Sequence, residues 1–170
     1  GKVGMLGISY YASNQWRVAA MHPPHLAAII PWEGQNDRYR DSGYHGGILS
    51  EFQKLWAKHQ VVMIQYGKAG ARKHPVTGES VTGPEELSEQ QLEKNRINTF
   101  ESLKAHPFCD EWHRSQTPDL AQVQVPFLSC ANWGGQGIHP RGNFNGFMFG
   151  ASKQKWLEAH GDSHWSHFYS

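Results

Sequence analysis

The chain opens with a short strand that turns directly into a helix at a serine. The run Lys2–Ala12 begins apolar, breaks at Gly7, presents Ser9 and passes at once into a helical pattern. A serine on so sharp a turn projects its hydroxyl clear of the sheet, and the first helix amides offer N–H donors and the positive end of the dipole. We therefore predict an α/β fold with Ser9 exposed at an edge of the sheet.

This turn is typical of a nucleophile elbow, whose pattern is Gly-x-Ser-x-Gly. One position departs from it, because Tyr11 occupies the place of the second glycine and the small residue Ala12 follows. If the motif is real, Ser9 is the nucleophile and the backbone N–H of Tyr10 is one oxyanion donor. The alternative is a Gly-x-Ser that merely closes a strand of a doubly wound sheet.

Composition excludes several classes of partner. The 170 residues are 38% hydrophobic, which suffices for a domain with a core, and the net charge is only +1 with scattered Lys and Arg. We therefore expect no nucleic-acid or membrane partner. Because the sequence lacks the pattern of a signal peptide, we expect a cytoplasmic location. Homo-oligomerisation stays open. Cys109 and Cys130 lack metal-ligand spacing and are expected to be buried free thiols, and we predict neither a metal nor a cofactor.

The first fifty residues predict a parallel βαβ unit. Apolar residues at helical spacing follow Ser9 until Pro23-Pro24, and Leu26–Ile30 then predicts a second buried strand that Pro31 ends. Parallel strands place their carboxyl ends at one edge of the sheet. Ser9 and the segment Trp32–Gly34 are therefore expected to lie at the same edge. Because a chain seldom begins inside a core strand, we expect this one to be the C-terminal part of a longer protein.

The middle of the chain predicts helices that interrupt this alternation. An apolar stripe runs over 52–66, and residues 82–86 predict the start of a second helix that continues to about Ala105. We interpret 1–50 as core, 51–118 as an inserted helical cap and 119–170 as core again. Ordinary packing helices outside the sheet are the alternative.

Strand and helix patterns return after this insertion. The strand Val123–Cys130 is followed by Asn132–Gly135, a helix reaching Phe149, the strand Lys155–Ala159 and the loop His160–Trp165. That loop occupies the place where a hydrolase of this architecture carries its general base. Chain order there is serine, then acid, then histidine.

At this point the sequence resembles the cocaine-esterase and X-Pro dipeptidyl-peptidase family of serine hydrolases. The resemblance is carried by the following segments: Gly7–Tyr10, Pro23–Pro31, Gly34, Asp37-x-Tyr39-Arg40-Asp41, Gly46-Gly47, Val125-Pro126, Trp133 and Gly161-x-x-His164. It implies an α/β-hydrolase fold, here partial, with a helical cap and a Ser-Asp-His triad that cleaves esters or amide bonds near an N-terminus. It also implies that a second oxyanion donor, commonly a tyrosine, lies outside this chain.

The family's catalytic aspartate is missing. Its expected place holds Gly135, and residues 120–157 contain no Asp or Glu. Glu33 is the replacement candidate, because it follows the strand beside the nucleophile strand and keeps the order serine, acid, histidine. We expect its carboxylate within hydrogen-bond reach of the His164 ring, with the other ring nitrogen facing Ser9. A solvated or cap-contacting loop glutamate is the alternative for Glu33.

Other residues compete for these roles. Asp37 and Asp41 are the next acids to consider, whereas Asp162 is too close in sequence to His164 to face its ring. His164 matches the family histidine, while His160 and His167 are interpreted as surface or pocket-lining imidazoles and His139 as a contact to substrate or to the acid. Substrate contacts are assigned to Trp133, Trp165 and Asp37.

The sequence supports two functions that belong to different classes. The first is a serine hydrolase that cleaves ester or amide bonds of a small molecule or peptide through Ser9, Glu33 and His164, with ester cleavage favoured. The second is a non-catalytic α/β-hydrolase-like binding domain, for which the missing aspartate is the best argument.

Overall fold

A computed structural model of the protein describes residues 1–65, 73–80, 88–134 and 137–170. These residues form two compact units. The first combines Gly1–Ile48 with Phe108–Ser170, and the second is Leu49–Pro107. The role of the second unit as a cap stays a prediction.

Regular elements alternate between strand and helix in the first unit. Its strands and helices are β1 Val3–Ile8, α1 Tyr10–Ala20, β2 Leu26–Trp32, a π-helix Arg38–Gly43, β3 Tyr44–His45, α5 Glu111–Arg114, a 3₁₀ turn Leu120–Gln122, β5 Phe127–Asn132, α6 Pro140–Phe149 and β6 Lys155–His160. The short strand β4, Ile48–Leu49, lies where the two units meet in sequence, and α2 Phe52–Trp56, a π-helix Ala57–Gln65, α3 Glu89–Asn95 and α4 Thr99–Ala105 belong to the second unit.

The main sheet has four parallel strands in the order β1-β2-β5-β6. Its register pairs Ile8 with Trp32 and Asn132 with His160, so the carboxyl ends of all four strands meet at one edge. This is the α/β fold that the sequence predicts, in which such an edge is where sites form. Ser9, Glu33 and the loops after β5 and β6 all follow these strand ends.

Several predicted boundaries differ in the structure. β2 continues through Pro31, whose missing N–H leaves a gap in the pairing with β5 between Ile29 and Trp32. β5 begins at Phe127 rather than Val123, because Leu120–Gln122 form a 3₁₀ turn and Pro126 cannot donate to a neighbouring strand. The second predicted helix begins outside the described residues, and its described part is divided into α3 and α4.

The core of the first unit lies between α1 and the sheet. Trp16 is fully buried, and its ring meets that of Phe127 edge to face with centroids 5.3 Å apart. Five buried residues make up this core: Trp16, Ala19, Ile29, Val123 and Phe127. Such edge-to-face pairs add about 1 kcal/mol beyond the area that they bury. This packing holds α1, and therefore the turn before it, against β2 and β5.

Side-chain caps define the short helices of the second unit. Ser88 and Gln91 form a reciprocal capping box at the start of α3, and the Asn98 side chain accepts from the Glu101 amide at the start of α4. Leu103 on α4 is fully buried. Among the described residues, none of the helices has both the length and the apolar character needed to cross a lipid bilayer.

Candidate active site

Ser9 lies on a strained turn between β1 and α1. Its φ of 61° and ψ of −115° fall outside the regions that L-residues prefer, and its amide donates to the Trp32 carbonyl at 3.0 Å. Backbone strain of this kind costs about 1–3 kcal/mol and concentrates at functional sites. Ser9 therefore stands on a sharp strand-to-helix turn, as the Gly-x-Ser pattern predicts.

Two glycines make this turn sterically possible. A Cβ at Gly7 would lie 2.6 Å from the Tyr11 Cβ, and a Cβ at Gly34 would lie 2.7 Å from the Ala12 Cβ. The start of α1 therefore packs directly against the backbone of Gly7 and Gly34, which have no side chains. This is why Tyr11 fits at a position where the usual motif has glycine. Ala12 is the small residue that the segment after β2 requires.

Glu33 is the first residue after β2 and is completely buried, with a φ of 53°. Its two carboxylate oxygens have separate partners. Oε2 lies 2.5 Å from Nδ1 of His164, while Oε1 accepts from the Asn132 side-chain amide at 3.0 Å and lies 3.3 Å from Nε2 of His160. The expected contact between Glu33 and the His164 ring is present.

These contacts decide the charge of Glu33. Burial acts to raise the pKa of its carboxyl, but hydrogen bonds from His164, Asn132 and His160, together with the charge of His164, outweigh burial and lower the pKa below its ordinary value. Glu33 is therefore ionised at neutral pH. A buried carboxylate that touches an imidazole is the arrangement that orients a histidine and stabilises its protonated form.

His164 is held by close contact between the loops after β5 and β6. A Cβ at Gly134 would lie only 2.3 Å from the Asp162 carbonyl oxygen, so glycine is needed there. The Asn132 side chain also donates to the Ser163 carbonyl at 3.3 Å. Asn132 thus contacts both the carboxylate of Glu33 and the loop that carries its imidazole partner.

Helix α6 brings a second histidine to Ser9. His139 immediately precedes Pro140 at the start of α6, is buried, and places its Nε2 3.0 Å from the Ser9 Oγ. The helix packs closely against the segment after Glu33, because a Cβ at Gly142 would lie 2.4 Å from the Gly34 carbonyl oxygen. The Asn143 side chain also accepts from the Gly34 amide at 2.7 Å.

The rings of His139 and His164 are stacked, 4.6 Å apart and 8° from parallel. Together with Glu33, they offer three potential ligand atoms within 4.8 Å of one another. However, a nitrogen and an oxygen bound to one tetrahedral zinc ion lie about 3.3 Å apart. The 2.5 Å between Oε2 of Glu33 and Nδ1 of His164 is shorter than that and corresponds to a hydrogen bond.

The other predicted site residues have varied surroundings. Tyr10 opens α1, where backbone amides lack partners within the helix. Trp165 packs edge to face on His164 with centroids 4.8 Å apart, whereas Trp133 packs on Phe144. Asp37 accepts from the Tyr39 and Arg40 amides and pairs with the Arg40 side chain at 3.0 Å.

Two histidines have more specific surroundings than the sequence indicates. His139 contacts Ser9, a place that the sequence assigns to His164. His160, for which the sequence predicts a surface or pocket-lining imidazole, is not at the surface but buried against Glu33. The signal for His139 is its position just before Pro140, because a helix that follows a parallel strand begins at the carboxyl edge of the sheet. Gly135, at the place of the missing aspartate, lies outside the described residues.

Comparisons with known proteins concern the family and the fold of the chain. The model of the X-Pro dipeptidyl-peptidase (S15) family matches residues 1–169. Two crystal structures of a CocE/NonD family hydrolase from Staphylococcus aureus superpose on the whole chain at 33% identity, with TM-scores of 0.75 and 0.78. An aminopeptidase from a marine-sediment Thaumarchaeota archaeon, 20% identical over 81% of the chain with a TM-score of 0.50, shares the fold.

The chain spans 26% of the length of the Staphylococcus aureus hydrolase and 25% of that of the archaeal aminopeptidase. A search of curated proteins gives no match.

Proposed function

Because this chain belongs to the X-Pro dipeptidyl-peptidase (S15) family of hydrolases, we propose that it supplies the catalytic residues of a serine hydrolase. Ser9 is the nucleophile, His164 is the general base and Glu33 is the acid that orients it. The observation that carries the proposal is the buried Glu33–His164 contact of 2.5 Å beside a serine on a strained strand-to-helix turn.

In this mechanism His164 accepts the Ser9 proton as the hydroxyl oxygen attacks a carbonyl carbon of the substrate. Glu33 stabilises the resulting imidazolium, which then protonates the leaving group as the tetrahedral intermediate collapses to an acyl-enzyme. Water, activated by the same base, attacks the acyl carbon and releases Ser9 with its proton. The Tyr10 amide donates to the developing oxyanion, since it opens α1 directly after the nucleophile.

His139 orients the nucleophile in this proposal. Its Nε2 lies 3.0 Å from the Ser9 Oγ, while the carboxylate contact that stabilises a protonated ring belongs to His164. The ring of His139 therefore holds the hydroxyl in place, and His164 receives the proton when the side chain of Ser9 turns toward it. Hydrogen-bond geometry at such sites tightens only when substrate is bound.

Ester cleavage is the activity that we favour over release of N-terminal dipeptides. A dipeptidyl peptidase needs a carboxylate for the substrate's ammonium group, but the loop carboxylates Asp37 and Asp41 pair with Arg40 and Arg141 at 3.0 and 2.8 Å. Amide cleavage also demands stronger protonation of its leaving group. Trp165, which packs on His164 and is 47% exposed, offers an apolar surface for the acyl or alcohol part of an ester.

A non-catalytic binding domain is the competing function. The absence of an acid between residues 120 and 157 favours it. Glu33 can take the role of the missing aspartate, because the acid of a triad need only reach the histidine and can come from any strand end at this edge.

The decisive experiment is labelling of the natural protein that carries this sequence with a fluorophosphonate, followed by peptide mapping. Only an activated serine reacts, so the proposal expects the adduct on Ser9. Ser13, whose hydroxyl donates to the Ser9 carbonyl at 3.1 Å, provides a matched control: Ser13→Ala should keep labelling and Ser9→Ala should abolish it. A protein that binds no probe at Ser9 would be the binding domain instead.

Substrate class is tested with the same protein. Hydrolysis of p-nitrophenyl butyrate is compared with hydrolysis of Gly-Pro-p-nitroanilide at equal concentrations. We expect a higher kcat/KM on the ester, and the reverse order would favour dipeptidyl-peptidase activity.

A further inference from the structure

A third histidine, His160, contacts the carboxylate of Glu33 at the other oxygen from the one that His164 contacts. It ends β6, and its side chain is 5% exposed. Nε2 lies 3.3 Å from Oε1 of Glu33, and Nδ1 lies 2.8 and 3.0 Å from the two carboxylate oxygens of Glu158. Both ring nitrogens therefore face carboxylates.

Counting donors gives the protonation state of this ring. A neutral imidazole has one N–H and one acceptor nitrogen, whereas a carboxylate oxygen can only accept. With Glu33 ionised, both contacts are hydrogen bonds only if His160 carries a proton on each nitrogen. The ring is then an imidazolium between two negative charges.

The other groups around His160 are compatible with that charge. The ring of Trp32 lies 5.3 Å away between centroids and the ring of His167 lies 4.5 Å away. Cys130 on β5 is also near the two carboxylates, and burial together with the charges of Glu158 and Glu33 raises the pKa of its thiol to about 12. The thiol is therefore neutral, and Glu33 and Glu158 are the anions that face this ring.

A positive charge on His160 would meet a requirement of the proposed catalytic cycle. His164 must be neutral in the resting enzyme to accept the Ser9 proton, yet Glu33 is ionised and has no exposed surface. An isolated buried carboxylate is costly, and the neutral amide of Asn132 compensates it only in part. A cation on Oε1 balances the charge while leaving Oε2 free for His164.

We propose, on the basis of the function proposed above, that His160 is a positioning residue: an imidazolium held by Glu158 that keeps Glu33 charged and aimed at His164. Glu158 and His160 lie two residues apart on β6, so their side chains share one face of the strand. The strand pairs His160 with Asn132, the other donor to the same oxygen of Glu33. Glu158, His160, Glu33 and His164 thus form a continuous series of hydrogen-bonded contacts.

The arrangement predicts the direction of a change in pH dependence. His160 and His164 compete for the negative charge of Glu33, so the cation on one side makes protonation of His164 less favourable. In His160→Gln, His164 would hold a proton up to higher pH. The acidic limb of the kcat/KM profile should therefore move to higher pH, and kcat at pH 7 should fall by about tenfold or more while KM changes little.

The test measures pH profiles of ester hydrolysis for the wild-type natural protein, His160→Gln and Glu158→Gln. Glu158 is 42% exposed at its side chain, so that variant removes the anchor of His160 with less risk to folding, and its shift should have the same direction and a smaller size. His167→Gln is the matched control. Its ring lies 4.5 Å from that of His160, and none of the hydrogen bonds described above joins it to a carboxylate. Its profile should stay unchanged.

Neutron diffraction of the wild-type protein near pH 7 gives a second readout that is independent of activity. Deuterium on both nitrogens of His160 is expected. A single deuteron, or profiles of His160→Gln and Glu158→Gln that coincide with wild type, would overturn the proposal. Failure of the serine-hydrolase function is distinguished by Ser9→Ala, since a variant that keeps wild-type activity would reject the nucleophile and leave the neutron result to decide the state of His160.

Discussion

The imidazole rings of His139 and His164 lie face to face, 4.6 Å apart between centroids. Two unit charges about 4 Å apart repel each other by about 4 kcal/mol at an effective dielectric constant of about 20. A charge on both rings at once is therefore disfavoured. The carboxylate of Glu33 contacts His164, so a proton taken up during catalysis is better stabilised on that ring.

The two histidines should consequently differ in the effect of substitution. We expect His164→Ala to lower kcat/KM for an activated ester by about 10⁴-fold or more, because the base and its charge partner are lost together. His139→Gln keeps a polar group near Ser9 and should cost about tenfold to a hundredfold. Steady-state kinetics of both variants make the comparison. Greater loss in the His139 variant would assign the base to His139.

Glu33→Gln tests the acid. The amide keeps the shape of the side chain but cannot stabilise an imidazolium, and it can hold His164 in the wrong tautomer, so kcat should fall by about 10³–10⁴-fold. Asp37→Asn removes a carboxylate that caps the next helix and serves as the control, with a much smaller effect on kcat. Equal losses in the two variants would mean that Glu33 acts through the fold alone.

The contact between α6 and the segment after Glu33 leaves no room for a side chain at Gly142. A Cβ there would lie 2.4 Å from the Gly34 carbonyl oxygen, so Gly142→Ala should destabilise the protein by about 1–3 kcal/mol. At Gly4 the nearest atom would be 3.8 Å away, and Gly4→Ala should be nearly neutral. Thermal denaturation followed by circular dichroism compares the two. A wild-type melting temperature for Gly142→Ala would contradict the packing.

The two cysteines are both free thiols, as the sequence predicts, but the predicted burial holds for Cys130 and is wrong for Cys109. Cys130 is buried with its thiol pKa raised to about 12, whereas Cys109 is partly exposed. Because the thiolate is the reactive form, iodoacetamide at pH 8 should modify Cys109 in the native protein and spare Cys130. Peptide mapping by mass spectrometry measures this, with the unfolded protein as the control in which both react. Native labelling of Cys130 would disprove its burial.

Asp41 should make a pH-dependent contribution to stability. Burial raises the pKa of its carboxyl above the ordinary 3.8, against hydrogen bonds from the Asp37 amide, Arg141 and the Asn36 amide that act to lower it. The folded state therefore binds this proton more tightly. The resulting stabilisation is complete below pH 3.8 and is lost as pH rises through the raised value.

Asp41→Asn removes that titration. We expect the free energy of unfolding of the wild type, relative to the variant, to decrease as pH rises above 3.8. Urea denaturation at a series of pH values between about 3.5 and 6 measures the difference. A difference that grows with pH would show that the pKa of Asp41 is lowered by folding.

Features that depend on short stretches of sequence could be predicted. The turn at Ser9 follows from an apolar strand, a glycine and a helix start, all within twelve residues, and the place of Glu33 follows from parallel pairing of the first two strands. The family resemblance indicated which histidine of the loop after β6 matches the family's histidine, namely His164. The predicted contact between Glu33 and His164 needed no more than these three facts.

The surroundings of His139 and His160 could not be read in this way. The contact between His139 and Ser9 joins residues 130 positions apart and depends on how closely α6 packs on Gly34. His160 contacts Glu33 because β6 pairs with β5 in a register that aligns it with Asn132. Packing distance and strand register are tertiary properties, and a spacing of histidines along a loop carries no information about either.

Ser9 and Glu33 each stand one residue beyond a paired position of adjacent strands, Ile8 and Trp32. The separation of the proposed nucleophile and its acid is thus a property of a hydrogen-bonded ladder that cannot lengthen without breaking. His164 comes instead from a stretch without helix or strand, after β6. Mild heating or denaturant should therefore abolish catalysis by releasing the imidazole while the sheet is still intact, so that inactivation precedes unfolding.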